Sequence, residues 1–266
     1  MDTNYEERNK SQIIRQDARN CFVESRSDAF EIDKIHFEFA TYDTSKPKGD
    51  RQTNYVSIYL DVAEFYGLAH MVLHGHIHGT MTQYKKIMKE IETYKNANKN
   101  QLNDEMQEKQ KQINKPLFQS LGGTSADKLK QKGYERKDGM SLSRSISLSV
   151  GGKVDYLLCA ESGPGQTDAK GLIVPKYGNS PEQRVSVAMN WQSLNEIMLM
   201  TKINYEAWLA AKYMTEIGKN NKIPQNTSAS YSEKQEPKNI SNTQYDNNQS
   251  NDLAGISPSD DDTQMF

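Results

Sequence analysis

Four of the chain's five histidines fall within nine residues, in the stretch HMVLHGHIH (70–78). Imidazole is a good ligand for zinc and related ions. His70, His74 and His78 recur every four residues, the spacing that stripes one face of a helix. The chemistry on offer is metal-assisted hydrolysis, with His76 as a further donor. Against it, the stripe has no evident fourth ligand, and Gly75 and Gly79 punctuate the helix. The plainer expectation is a frayed helix end whose histidines suit the negative pole of the helix dipole. We expect no metal and no cofactor. A metal-dependent hydrolase built on His70, His74, His76 and His78 is the rival reading.

Other catalytic signals are weaker. GGTSADK (122–128) has glycines and a lysine but not Walker-A spacing. ESGPGQTD (161–168) is glycine-rich without the strand-to-helix setting of a nucleotide fingerprint. LHGHIHG resembles the last metal-binding turn of the metallophosphoesterases. Yet GDRQTN (49–54) lacks the second aspartate of that family, its other two motifs are absent, and the segment follows a helix rather than a strand. No credible nucleophile–base pair stands out. The expectation is a protein that is not an enzyme.

Composition narrows the class. A formal net charge of −2 argues neither for nor against nucleic acid. With 35% hydrophobic residues and a mean hydropathy of −0.86, part of the chain must lie outside any packed core. Two cysteines, Cys21 and Cys159, make no disulfide framework and fit a reducing cytoplasm. No apolar run approaches the roughly 18 residues of a membrane span. The N-terminus MDTNYEERNKSQIIRQ lacks the apolar stretch of a signal peptide. The expected location is cytoplasmic, with no membrane partner.

The elements that must position any site follow from periodicity. Residues 1–30 read as a polar N-terminal arm, and 31–218 as a single α+β domain. IDKIHFEFATYD (32–43) alternates, with Ile35, Phe37 and Phe39 one way and Lys34, His36 and Glu38 the other, as in a half-buried strand. NYVSIYL (54–60) is a second strand, with Val56, Ile58 and Leu60 inward and Tyr55, Ser57 and Tyr59 outward. Asp61, with Glu64 three residues on, opens a helix with a capping-box-like start. Residues 81–113 read as a solvated charged helix or helical hairpin. A connector follows, with a short capped helix near 125–132.

Four strands are expected next: 141–150, 153–162, 171–177 and 184–189. Gly151 and Gly152 signal a hairpin turn between the first two. The serines of 141–149 form an outward polar row, and Arg144 interrupts the apolar one. Asn190 caps a long, strongly amphipathic helix ending near Gly218. Residues 219–266 are rich in Asn, Gln, Ser and Pro and are expected to be disordered.

There is an internal echo. Val56, Ser57, Ile58, Leu60 and Asp61 overlie Val185, Ser186, Val187, Met189 and Asn190 when the two strand–cap–helix units are aligned. If the echo is a duplication, the fold is two antiparallel sheets, each closed by a helix, about a pseudo-dyad. The order of 141–215, four strands then a helix, is similar to the Whirly-type fold and the related transcriptional-coactivator domains. RVSVAMNWQSLNEI is similar to the last strand and helix start of that family. The block SLGGTSADKLKQKG…DGMSLSR…SGPG…KGLIVPKYG also resembles proteins of Gram-positive conjugative elements and phages.

The final residues, SPSDDDTQMF, resemble the C-terminal tip of bacterial single-stranded-DNA-binding proteins. In that family a Gln/Asn/Ser/Pro-rich linker ends in an acidic cluster and Pro-Phe, and the tip recruits repair and replication proteins. Asp260, Asp261, Asp262 and Phe266 match; Met265 stands where proline is usual.

These resemblances imply a single-stranded-DNA-binding protein of replication, recombination or conjugative transfer, with tail-recruited partners and a homo-oligomer as an option. An interaction scaffold centred on 81–113 is a third reading. Sequence-tolerant single-strand binding needs aromatic faces for stacking and cations along the backbone path. The strand faces and flanking loops offer His36, Tyr42, Tyr55 and Tyr59 in the first half, and Lys153, Lys170, Lys176, Tyr177 and Arg184 in the second. Arg136, Lys137 and Arg144 lie just before or within the first strand of the second half. Residues 219–266 hold four lysines against seven acids, net −3, which leaves +1 for 1–218. A binding surface must therefore come from local clustering.

Overall fold

The structure is a computed structural model that describes residues 10–47, 50–178 and 180–220, with side chains through Ile217. It is α+β, built on two antiparallel sheets. The first holds β1 (Gln12–Ala18), β2 (Cys21–Arg26), β3 (Lys34–Tyr42) and β4 (Gln52–Asp61) in sequential order.

The hairpin β1–β2 corrects the expected polar arm. Its strands meet through Arg19 and Asn20, with Asn20 at φ 60°, a left-handed conformation that Asn tolerates. In β2, Cys21, Val23 and Ser25 turn to the core while Glu24 and Arg26 take the opposite face. Their charges suggested solvent, but they are buried because they pair with one another. For the same reason β3 is buried on both faces, not half-buried: His36 and Glu38 are covered as fully as Phe37 and Phe39. A register shift between Gln12 and Ile14 marks a bulge in β1.

The second sheet holds β5 (Phe118–Thr124), β6 (Ser141–Val150), β7 (Tyr156–Thr167), β8 (Ile173–Pro175) and β9 (Gln183–Met189). β6 lies along one edge of β7. The other edge is shared, with β9 on Tyr156–Ser162 and β8 on Gly165–Thr167. β7 therefore runs through the Gly-Pro-Gly stretch that reads as a loop in sequence. A β-carbon at Gly163 would come within 2.8 Å of the Tyr177 ring. One at Gly165 would meet Ile173 and Ser143. The missing side chains let the β8 segment fold back over the serine row. That is why Ser141, Ser143 and Ser145 are buried rather than facing out.

The helices are α1 (Val62–Leu73), α2 (His76–Ala97), α3 (Asp104–Ile113), α4 (Ala126–Gln131) and α5 (Trp191–Asn220). Asp61 stands at the N-cap of α1 without a capping bond from its side chain, which pairs with Lys34 instead. Glu64 accepts from Ser120 of β5 at 3.0 Å. The capping box is thus diverted into tertiary contacts. Asn190 does cap α5, its side chain accepting from the Ser193 amide at 2.8 Å.

Each half has the same order: four antiparallel strands, then a helix. They are β1–β4 with α1, and β5, β6, β7 and β9 with α5, β8 being an excursion before β9. One apolar core joins them, with Phe37, Phe39 and Ile58 from the first sheet, Leu148, Leu158 and Val187 from the second, and Phe65, Leu68, Leu194 and Ile197 from α1 and α5. The long helix is not simply amphipathic. Leu194, Ile197, Met198 and Tyr205 turn inward, yet the outward face carries Leu199, Ile203, Met214 and Ile217. No described helix is long and apolar enough to cross a membrane.

Candidate nucleic-acid interface

The polar face of the first sheet is a closed network. Arg26, 4% exposed, donates to Glu24 at 2.8 Å and Glu38 at 3.2 Å, and its Nε lies 3.4 Å from Asp28. Its second terminal nitrogen donates to Ser11 Oγ at 2.5 Å. His36 Nδ1 is 2.8 Å from Asp28 and Nε2 is 3.3 Å from Ser57. The Tyr55 hydroxyl donates to Glu38 at 2.5 Å and accepts from Ser57 at 2.9 Å. Burial pushes the Glu24 carboxyl up, against the pull of Arg26 and with the help of the Glu38 charge.

This corrects the role expected of His36. It is 2% exposed, and one ring face is covered by Tyr59, stacked at 4.3 Å with 12° between planes. No base can reach it. With three carboxylates around one arginine and one histidine, the centre of this face does not attract phosphate.

The edge of the same sheet differs. β4 is its last strand, and the outward amide of Tyr55 donates to Gln183 Oε1 of β9 at 3.2 Å. Across the second sheet, Gly122, Arg144, Ser162 and Gln183 stand in one row. Arg144 donates to Thr124 Oγ1 at 3.2 Å and lies within electrostatic reach of the Tyr59 and Tyr55 hydroxyls. Burial lowers its proton affinity, opposed by the two tyrosines. Among the described residues no carboxylate pairs with it. Tyr59 is 47% exposed beside it. Burial first, and the Asp28 charge second, push the Tyr59 hydroxyl up, so it stays neutral.

The other expected residues are dispersed. Tyr42 lies at the far end of β3, its ring 6.4 Å from Phe22. Arg136 is held by Glu182 at 2.6 Å and Asp138 at 2.7 Å, which push its guanidinium up, while Arg136 in turn holds both carboxyls down. Its charge is matched, so it is not available to phosphate as expected. Arg184 lies 3.4 Å from Glu161 on the opposite face of the second sheet from Arg144. Tyr177 packs over Gly163, its hydroxyl buried near Ser145 and Glu161, which leaves it unsuited to stacking.

Lys153 and Lys170 sit in the turns at opposite ends of β7. They, Lys137 and Lys176 are exposed, without an ion pair among the described residues. Of the twelve residues, the fold brings together Tyr55, Tyr59 and Arg144, with His36 behind Tyr59. Asp260, Asp261, Asp262 and Phe266 lie outside the described residues.

Sequence reasoning missed Thr124, which accepts from Arg144, Gln183, which ends its row, and Glu24 and Arg26, which pair within the first sheet. Only the alternation of CFVESR hinted at a strand there.

The histidines do not share a face. His74 ends α1, its Nδ1 2.9 Å from the His70 carbonyl oxygen, and Gly75 at φ 79° breaks the helix before α2. The rings of His70 and His74 are 4.0 Å apart and those of His70 and His76 6.1 Å. His78 turns away, 4.7 Å from Trp191 and 3.3 Å from the Tyr156 hydroxyl. His74 thus marks a helix end, as expected, and the four-residue stripe of the rival metal reading is broken at Gly75. Among the described residues no three His, Cys, Asp or Glu are placed to hold one metal ion.

Compared with known protein families, curated proteins and solved structures, the chain has no match.

Proposed function

We propose that the protein binds single-stranded DNA with little sequence preference and recruits replication, recombination or conjugative-transfer proteins through Asp260, Asp261, Asp262 and Phe266, with no catalytic step of its own. Arg144 is the observation that carries this reading. It is half-buried within electrostatic reach of the Tyr59 and Tyr55 hydroxyls, and among the described residues it has no carboxylate partner. A guanidinium drawn partly out of water without a counter-ion gains from an arriving phosphate oxygen, through charge-assisted hydrogen bonds. Tyr59 offers an exposed ring at the same place, and stacking contributes about 1–3 kcal/mol per base. The strand follows the seam between β4 and the second sheet and avoids the acidic centre of the first. Lys137, Lys153, Lys170 and Lys176 add long-range attraction.

The test is fluorescence anisotropy of a labelled oligothymidine against the full chain, with a matched duplex and a salt titration. The expected result is single-strand binding that weakens as salt rises, much weaker duplex binding, and a loss of about tenfold or more for Arg144→Gln. Deleting 253–266 leaves binding intact or tighter, because the acidic tip competes with DNA. Absence of binding at low salt, or an Arg144→Gln variant that binds like the parent, overturns the assignment.

A further inference from the structure

The outward face of α5 carries a row of exposed apolar side chains. Leu199 is 43% exposed, Ile203 47%, Met214 71% and Ile217 55%. With Ala207 and Ala210, also exposed, they follow one another at intervals of four, four, three, four and three residues. That is the spacing of a single stripe along a helix. The stripe runs about 27 Å. An apolar stripe of this length is normally covered by a partner, and here no element among the described residues covers it.

The order of sizes identifies the cover. Read from either end, the stripe is large, large, small, small, large, large. An antiparallel copy of the same helix, related by a two-fold axis beside Ala207 and Ala210, sets Leu199 against Ile217, Ile203 against Met214, and Ala207 against Ala210. The alanines let the axes approach at the crossing, and the larger side chains close the ends. A two-fold interface must be self-complementary in this way; a foreign peptide has no reason to meet a palindrome. The exposed stripe amounts to about 500 Å² per copy, so a pair covers about 1,000 Å², the threshold for a specific interface. We propose that the protein forms a two-fold dimer through antiparallel pairing of α5, weak enough to dissociate at micromolar concentration. This stands independently of the DNA reading.

Sedimentation equilibrium of the full chain, without DNA, measures the association. Ala207→Leu enlarges the crossing point while adding apolar surface. It is expected to weaken the dimer by about tenfold or more through overpacking; a merely adhesive face would be unaffected or strengthened. Cysteine cross-linking fixes the direction, since Cys21 and Cys159 are buried and do not interfere. A mixture of Leu199→Cys and Ile217→Cys chains cross-links, whereas either variant alone does not, its two thiols lying at opposite ends of the pair. Sedimentation as a monomer up to about 100 μM, far above a micromolar dissociation constant, overturns the proposal, as does self-cross-linking of Leu199→Cys.

Discussion

Two arginines, one on each sheet, have opposite surroundings. Arg26 is buried among Glu24, Glu38 and Asp28, and every direction its guanidinium faces is met within the fold. Arg144 is half-buried with one neutral partner, Thr124, and the Tyr59 and Tyr55 hydroxyls within electrostatic reach. Burying a charge beside its counter-ions serves the fold; drawing one out of water without them prepares a surface for something else. The contrast separates residues that hold the sheet from residues that the sheet displays.

The largest expected effect lies on the Arg26 side. Arg26→Ala strands Glu24 and Glu38 in a low-dielectric site and should cost about 3–5 kcal/mol of stability, read as a lowered urea midpoint. A loss below about 1 kcal/mol, the range of an exposed pair, would show that the network is solvated and dissolve the contrast. On the other side, Arg144→Gln should leave the urea midpoint within about 1 kcal/mol of the parent while oligothymidine affinity falls. An equal fall in stability would place Arg144 with Arg26 as a structural residue. Tyr59→Ala should reduce oligothymidine affinity by about 1–3 kcal/mol, with no change in the salt slope, because it removes a ring and not a cation. A reduced slope would mean that the variant had displaced Arg144.

Smaller effects sharpen the picture through pH. The Glu24 carboxyl is raised by burial. Its proton therefore stabilises the fold: the contribution is complete below the usual carboxylate range and is lost as pH rises through the raised value. Glu24→Gln should be more stable than the parent at neutral pH, and the advantage should shrink on acidification through the carboxylate range. Asp155 has the opposite sign. Lys85, at 2.7 Å, holds it down, so its contribution is present above the usual range and lost as pH falls through the lowered value. An advantage for Glu24→Gln that grew on acidification would reverse the assignment. The smallest effect is expected at Arg136, whose pairs with Glu182 and Asp138 lie at the surface. Arg136→Gln should change stability by about 1 kcal/mol or less and leave oligothymidine binding unaltered.

What was legible in the sequence was the apolar half of each pattern. The alternation of Ile35, Phe37 and Phe39, the spacing of Val185, Val187 and Met189, and the Asn190 cap all led to the right elements. What stayed hidden was polarity put to structural use. Glu24 and Arg26 looked like solvent-facing residues of an arm because the partners that bury them, Glu38 and Asp28, come from other segments. The serines of β6 looked exposed because nothing local announces that β8 will fold over them; Gly163 and Gly165 make the room, yet glycine in sequence signals a turn. For the site, residue type suggested twelve positions. Only pairing across the sheets separated Arg144 from Arg136, both of them arginines near the start of the same strand.

The bulge between Gln12 and Ile14 has a consequence for life at high concentration. β1 has a strand neighbour on only one side among the described residues, and an open edge invites another molecule to zip onto it. The bulge breaks the even ladder such an intruder would need. Arg15, Asp17 and Arg19 set charge along the strand and its turn. The irregularity and the charges together make this edge a poor template for a second strand.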